Sequence, residues 1–108
     1  MQKFVNLTPH DVTIVNDSGE VIATIKASGK IARIETKTVK TEEINGIPVT
    51  RTEFGKLAGL PEPEDNTVFI VSSLVAQACK EREDVYIPNE PVRDEHGNII
   101  GCKSLGKI

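Results

Sequence analysis

The sequence predicts an α+β fold: a mostly antiparallel sheet, curled or closed into a small barrel, with one packed α-helix at about residues 73–82. Three observations carry this. Hydrophobic residues make up 38% of the chain and none is Trp, so Val and Ile must fill the core, and branched side chains fit a pleated sheet better than a helix. Short alternating stretches are punctuated by turn clusters rich in Gly, Asn and Asp. Only one stretch carries a helical spacing of apolar residues. A length of 108 residues suits a single domain, 1–108.

The elements follow in order. "DVTIV" (11–15) alternates, with Val12 and Ile14 on one side, and "NDSG" (16–19) turns the chain. "EVIATIK" (20–26) is a second strand, "ASGK" (27–30) a turn, and "IARIET" (31–36) extended again. In "TEEINGIPVTRTEF" (41–54), Asn45-Gly46 stands between β-type segments. Both residues tolerate positive φ, so a type I′ hairpin turn is expected. Pro48 lacks an N–H, which places its strand at an edge or a bulge. "GKLAGLPEPEDN" (55–66) reads as a connecting loop, with one helical turn at Lys56 to Ala58.

"TVFIV" (67–71) is a continuous apolar run, the pattern of a central strand buried on both faces. The helix follows, with Ser72 or Ser73 as N-cap and Leu74, Val75, Ala78 and Cys79 turned inward. Lys80 and Arg82 are expected at its C-terminus, opposite the negative end of the dipole. "DVYIP" (84–88) is extended, and "VRDEHGNIIGC" (92–102) is a hairpin with its tip at His96-Gly97 or Gly97-Asn98. The tail "KSLGKI" is expected to be only partly tied down. So many hairpins leave open strand edges, and a homo-oligomer is the expected way to cover them.

Charge and composition narrow the function. The net charge is −3 with both signs interspersed, so the basic stripe of a nucleic-acid binder is missing. No apolar run approaches the roughly 20 residues of a membrane span, and "MQKFVNLTPHD" lacks a signal-peptide core. A cytoplasmic protein with two reduced cysteines, Cys79 and Cys102, is expected. No CxxC or HxxxH spacing marks a metal site, so no metal and no cofactor is expected.

The candidate site starts from "IVSSLVAQACKERED" (70–84), where a buried strand meets a helix at two serines. Free N–H groups at such a junction attract anions, and Ser72 and Ser73 add hydroxyls without bulk. Plain capping is the commoner reason for serines there. Arg93 and Asp94, in "PNEPVRDEHG", put a guanidinium near a proline-braced loop, suited to forked recognition of phosphate or carboxylate. A surface ion pair of Arg93 with Asp94 or Glu95 is the plainer alternative. Tyr86 could stack on a ring, though a lone strand aromatic more often packs. His10, after "NLTP", is expected to be buried and hydrogen-bonded, orienting the first turn.

Four stretches together carry a resemblance: "VNLTPHDVTI" (5–14), "NGIPVTRTEFG" (45–55), "GLPEPEDNTVFIVSSLVAQA" (59–78) and "REDVYIPNEPVRDEHGNIIGC" (82–102). They resemble a functionally uncharacterised family of small proteins of tailed bacteriophages and prophages, marked by the NLTPH opening and the late RD-x-x-G-x-I-x-G-C run. The resemblance covers nearly the whole chain and implies a bacterial cytoplasm during phage growth or lysogeny. It transfers no catalytic residue.

The leading expectation is a non-enzymatic binding protein that sequesters a small anionic, nucleotide-like ligand or host defence signal through Ser72, Ser73 and Arg93. One alternative is a protein–protein interaction or virion-associated module that recruits a host or phage protein by strand addition. Another is a small hydrolase using Cys102, with His10 or His96 and Asp94, which requires those groups within hydrogen-bond reach in one cleft.

Overall fold

The structure is a computed structural model and describes residues 2–108. Its eight strands are β1 (Lys3–Asn6), β2 (Val12–Val15), β3 (Val21–Ile25), β4 (Arg33–Ile44), β5 (Ile47–Ala58), β6 (Thr67–Ile70), β7 (Val85–Arg93) and β8 (Ile99–Gly106). One helix among the described residues, α1, spans Ser73–Ala78 between β6 and β7. Six strands form one sheet in the order β1-β6-β7-β8-β2-β3, while β4 and β5 make a separate two-stranded ladder. The predicted dominance of strand with one helix is what the chain adopts.

The finer expectation needs correction. The sheet is mixed: β1 and β7 flank β6 in parallel, and β2 meets β8 in parallel at Ile14 and Cys102. The strand–helix–strand run from Thr67 to Arg93 explains one parallel pair, because a parallel return needs a crossover of about a dozen residues. The barrel does not close. No ladder joins the outer strands β1 and β3; the backbone makes one isolated bridge, from Asn6 to Ala27 just past β3.

β6 is the central wall, and all four of its residues are buried. Phe69 and Val71 face a core with Leu7, Ala32, Val75, Ala76, Cys79 and Val85. Ile70 faces the other way, into a second cluster with Val12, Ile14 and Cys102. Successive strand residues point to opposite faces, so one short strand feeds two cores.

The helix is shorter than expected and rotated. It ends at Ala78, with Cys79 as C-cap. Beyond Cys79 the sequence is Lys-Glu-Arg-Glu-Asp, which offers no apolar face to bury, and a short helix depends on such burial. Lys80 and Arg82 therefore lie outside its last turn. Arg82 instead grips Asp84 through Nε and Nη2, at 2.8 and 2.9 Å, and donates to the Pro61 carbonyl at 3.0 Å. Val75, Ala76 and Cys79 are buried, whereas Leu74 is half exposed, so the inward stripe is shifted from the predicted one.

The β4–β5 hairpin is the largest surprise in shape. Each strand has 12 residues, so the hairpin is about 40 Å long at roughly 3.4 Å per residue. Strand continues through Lys56 to Ala58, where a helical turn was expected. Asn45 (φ 52°) and Gly46 (φ 80°) form the positive-φ turn as predicted. A register shift between Lys40 and Glu42 lies close to Pro48. Only the root, through Ile34 and Leu57, packs on the core. The radius of gyration is 16.5 Å, against about 13 Å for a compact chain of this length. The hairpin is an arm that projects from the body. At the other end of the chain, the tail is not loose: β8 runs to Gly106, which pairs with Ile87.

Candidate functional site

The "NLTPH" segment folds around one side chain. Asn6 is 1% exposed. Its Nδ2 donates to the carbonyls of His10 and Ile25 at 2.8 and 3.0 Å. Its Oδ1 accepts from the Thr8 N–H at 2.9 Å and the Thr8 hydroxyl at 2.6 Å. An amide has two donor hydrogens and an oxygen with two lone pairs, so all its capacity is met. This ties β1 to β3 at the open seam of the sheet and fixes the turn before β2. Asp11 adds a second tie, its Oδ1 accepting from the Ala27 N–H at 2.8 Å.

That turn forms one rim of a cleft of about 560 Å³, to which it contributes Thr8, His10 and Asp11. Val71 and Ser72, at the junction of β6 and α1, form another side. Pro88 and Pro91 of β7 and the Ile99–Cys102 segment of β8 complete it. The walls are mainly apolar and the polar groups are few: two threonines, His10, Asp11 and Ser72. Ligand pockets commonly have this make-up and this size.

The six candidate binding residues divide. His10 and Ser72 line the cleft together. His10 is not the buried, hydrogen-bonded residue expected: it is exposed, and its carbonyl rather than its ring serves the turn. The ring is thus available at the rim. Ser72 is the N-cap, its hydroxyl accepting from the Val75 N–H at 3.4 Å. Ser73 is the first helical residue, and its hydroxyl accepts from Gln77 Nε2 at 3.2 Å. Both serines are exposed. A helix of six residues carries little macrodipole, so anion attraction at this end is weak.

Arg93 and Asp94 are set apart from that junction; Tyr86 lies beside it, its carbonyl accepting from the Val71 N–H at 2.9 Å, but it does not line the cleft. β7 pairs with β6 only at Val85 and Tyr86. It then runs on seven more residues, which puts Arg93 roughly 23 Å further along the strand. There Arg93 Nη1 donates to the Gly97 carbonyl at 2.8 Å. Asp94 Oδ1 accepts from the N–H groups of His96 and Asn98 at 2.8 and 3.0 Å. Both residues hold the β7–β8 turn, in which Gly97 takes φ 84°. Neither the anion-clamping arrangement nor the simple Arg93–Asp94 pair forms. Tyr86 is half buried, with Lys107 Nζ 5.2 Å from its ring centroid.

Cys102 lines the cleft but is 4% exposed and belongs to the core cluster of Val12, Ile14 and Ile70. Cys79 is buried too; its thiol donates to the Val75 carbonyl at 3.1 Å, and burial pushes its pKa up. His96 stands at the distal turn, exposed beside Glu95. Among the described residues no group of three or more His, Cys, Asp or Glu could hold a metal ion, and no helix is long and apolar enough to cross a membrane.

Sequence reasoning missed Thr8, Asp11 and the Pro88–Pro91 and Ile99–Gly101 walls. The signal for Thr8 and Asp11 was present in the N-x-T-x-x-D spacing, but the walls come from β7 and β8, about 80 residues later, and only pairing brings them there. No protein family, characterised protein or solved structure matches the chain.

Proposed function

We propose that this chain is a phage- or prophage-encoded binding protein that captures a small ligand in the cleft between the NLTPH turn and β8, without transforming it. One observation carries the reading: an apolar-walled cleft of about 560 Å³ with His10, Thr8 and Ser72 on its rim. A nucleotide-like ligand or host defence signal suits these groups. Its ring would lie against Pro88, Pro91 and Ile100, and its anionic end would meet the His10 imidazole and the Ser72 hydroxyl. Capture is favoured over hydrolysis because Asp94, the carboxylate a Cys–His pair would enlist, is held in the distal turn.

Thermal unfolding against a panel of mononucleotides, dinucleotides and cyclic nucleotides tests this. A ligand at 100 times its Kd stabilises by about 2.7 kcal/mol, or roughly 10 °C for a domain of this size. Ile100→Trp, which fills the cleft from a half-exposed position, should remove the shift, and His10→Ala should weaken it. Arg93→Ala should leave it intact. A panel without any shift, or a shift that survives Ile100→Trp, would refute the cleft as the binding site.

A second reading has its own observation. β3 is an outer strand, with Val21 61% and Ile22 62% exposed on its opposite faces. An interaction or virion-associated module would add a partner's strand at this edge. Protection of residues 21–25 from hydrogen exchange on adding phage structural proteins supports that reading; unchanged exchange removes it.

A further inference from the structure

The β4–β5 arm ends in exposed apolar residues. Ile44 and Ile47 pair across the turn and are 54% and 65% exposed. Val49 follows on β5, opposite Glu42. A two-stranded hairpin alone in water is marginal at best and needs further strands or a packed face. The distal two-thirds of this arm has neither, since only its root touches the core.

The root holds the complementary feature. Between α1 and the start of the arm lies an open cavity of about 650 Å³, walled by Ala32, Ile34, Ala58 and Leu74. Leu74, on α1, lines this cavity and is 49% exposed. The rim carries Arg33, Lys56 and one carboxylate, Glu35. The tip carries Glu42, Glu43 and one cation, Lys40, which already pairs with Glu43. Among the described residues Arg33, Lys56 and Glu42 have no ion pair, so the rim and the tip keep opposite net charge.

We infer that the occupant of the root cavity is the arm tip of a second copy of this chain, and that the protein is an arm-exchanged homodimer. A tip cannot reach its own root, because the paired strands hold Ile44 about ten residues, roughly 34 Å, from Ile34 at the root. Two arms lying antiparallel place each tip at the other's root. A two-fold axis then makes both contacts at once and closes the assembly. Ile44 and Ile47 enter beside Leu74 and Ile34, while Glu42 meets Arg33 and Lys56. Each arm gains the neighbouring strands that a lone hairpin lacks. This dimer is independent of what the cleft binds.

Sedimentation equilibrium of the full chain tests it. The wild type should be a dimer at tens of micromolar. The tip variant Ile44→Asp/Ile47→Asp and the root variant Leu74→Arg should each raise the dimer dissociation constant about thirtyfold or more, as loss of a central apolar anchor does. All substituted positions are solvent-exposed, so unchanged circular dichroism separates loss of association from loss of fold. Mixing the two variants retains one intact tip–root contact, and the mixture should dimerise more tightly than either variant alone. A monomeric wild type overturns the inference and leaves the tip to a different protein. So does a dimer indifferent to both variants, or one broken at the tip but not at the root.

Discussion

Asn6 and Asp84 show how single polar residues hold a small sheet together. Asn6 satisfies two carbonyls, one amide and one hydroxyl from a position sealed against solvent. It acts on the cleft only indirectly, by setting the turn that carries Thr8 and His10. Asp84 receives two hydrogen bonds from Arg82. They hold its carboxyl pKa below the ordinary value, with burial opposing the shift. A carboxylate lowered in this way stabilises the fold above its unfolded pKa, about 3.9. That contribution disappears as pH falls through the lower, folded pKa. Asp84→Asn should therefore cost about 1–2 kcal/mol at pH 7, and the difference from wild type should shrink toward zero in acid. Urea unfolding at a series of pH values measures it, and a difference independent of pH would deny the ion pair its role.

At the scale of elements, the arm depends on how it leaves the body. Gly59 ends β5 with φ 84°, and a Cβ there would sit 2.4 Å from the Ile31 carbonyl oxygen. Both the backbone angle and the space exclude a side chain. Gly59→Ala should destabilise by at least about 2 kcal/mol, read as a lower urea midpoint at unchanged slope. The conformation lets the chain pass close to Ile31 before entering the proline-rich connection to β6. Arg82 fastens that connection from the other side, through the Pro61 carbonyl. The helix is bound to its neighbours mainly through Val75, Ala76 and Cys79, which explains why six residues suffice.

Across the whole molecule, two cores share one wall. Ile70 is 0% exposed and serves the cluster with Val12, Ile14 and Cys102, while Phe69 and Val71 serve the other. Neither core is separable from β6, so the body should unfold as one unit. Ile70→Ala should cost about 2–5 kcal/mol, a large part of the 5–10 kcal/mol expected for a domain of this size. Hydrogen exchange should show protection falling together in β2, β7 and β8. Loss confined to β2 and β8 would mean that the two cores are independent. The arm lies outside this unit, and its distal amides should exchange fastest in any variant that abolishes the dimer.

Much of the local structure was legible in the residues. The Asn45-Gly46 turn, the fully buried Thr67–Ile70 strand, the Ser72 cap and the Gly97 turn all followed from short-range chemistry: positive φ, apolar runs and side-chain bonds to nearby amides. Those preferences act within a few residues and need no tertiary context. What only the folded chain decided was long-range: the parallel pairing of β6 with β1 and β7, and the rotation that exposes Leu74. The same holds for the site. His10 and Ser72 share a cleft because β1 and β6 lie side by side in parallel and end together at Asn6 and Ile70, whereas Arg93, equally suited to anions by type, is carried away along β7. Residue type states what a group can bind, but strand register decides which groups meet, and register is set by burial across the whole sheet.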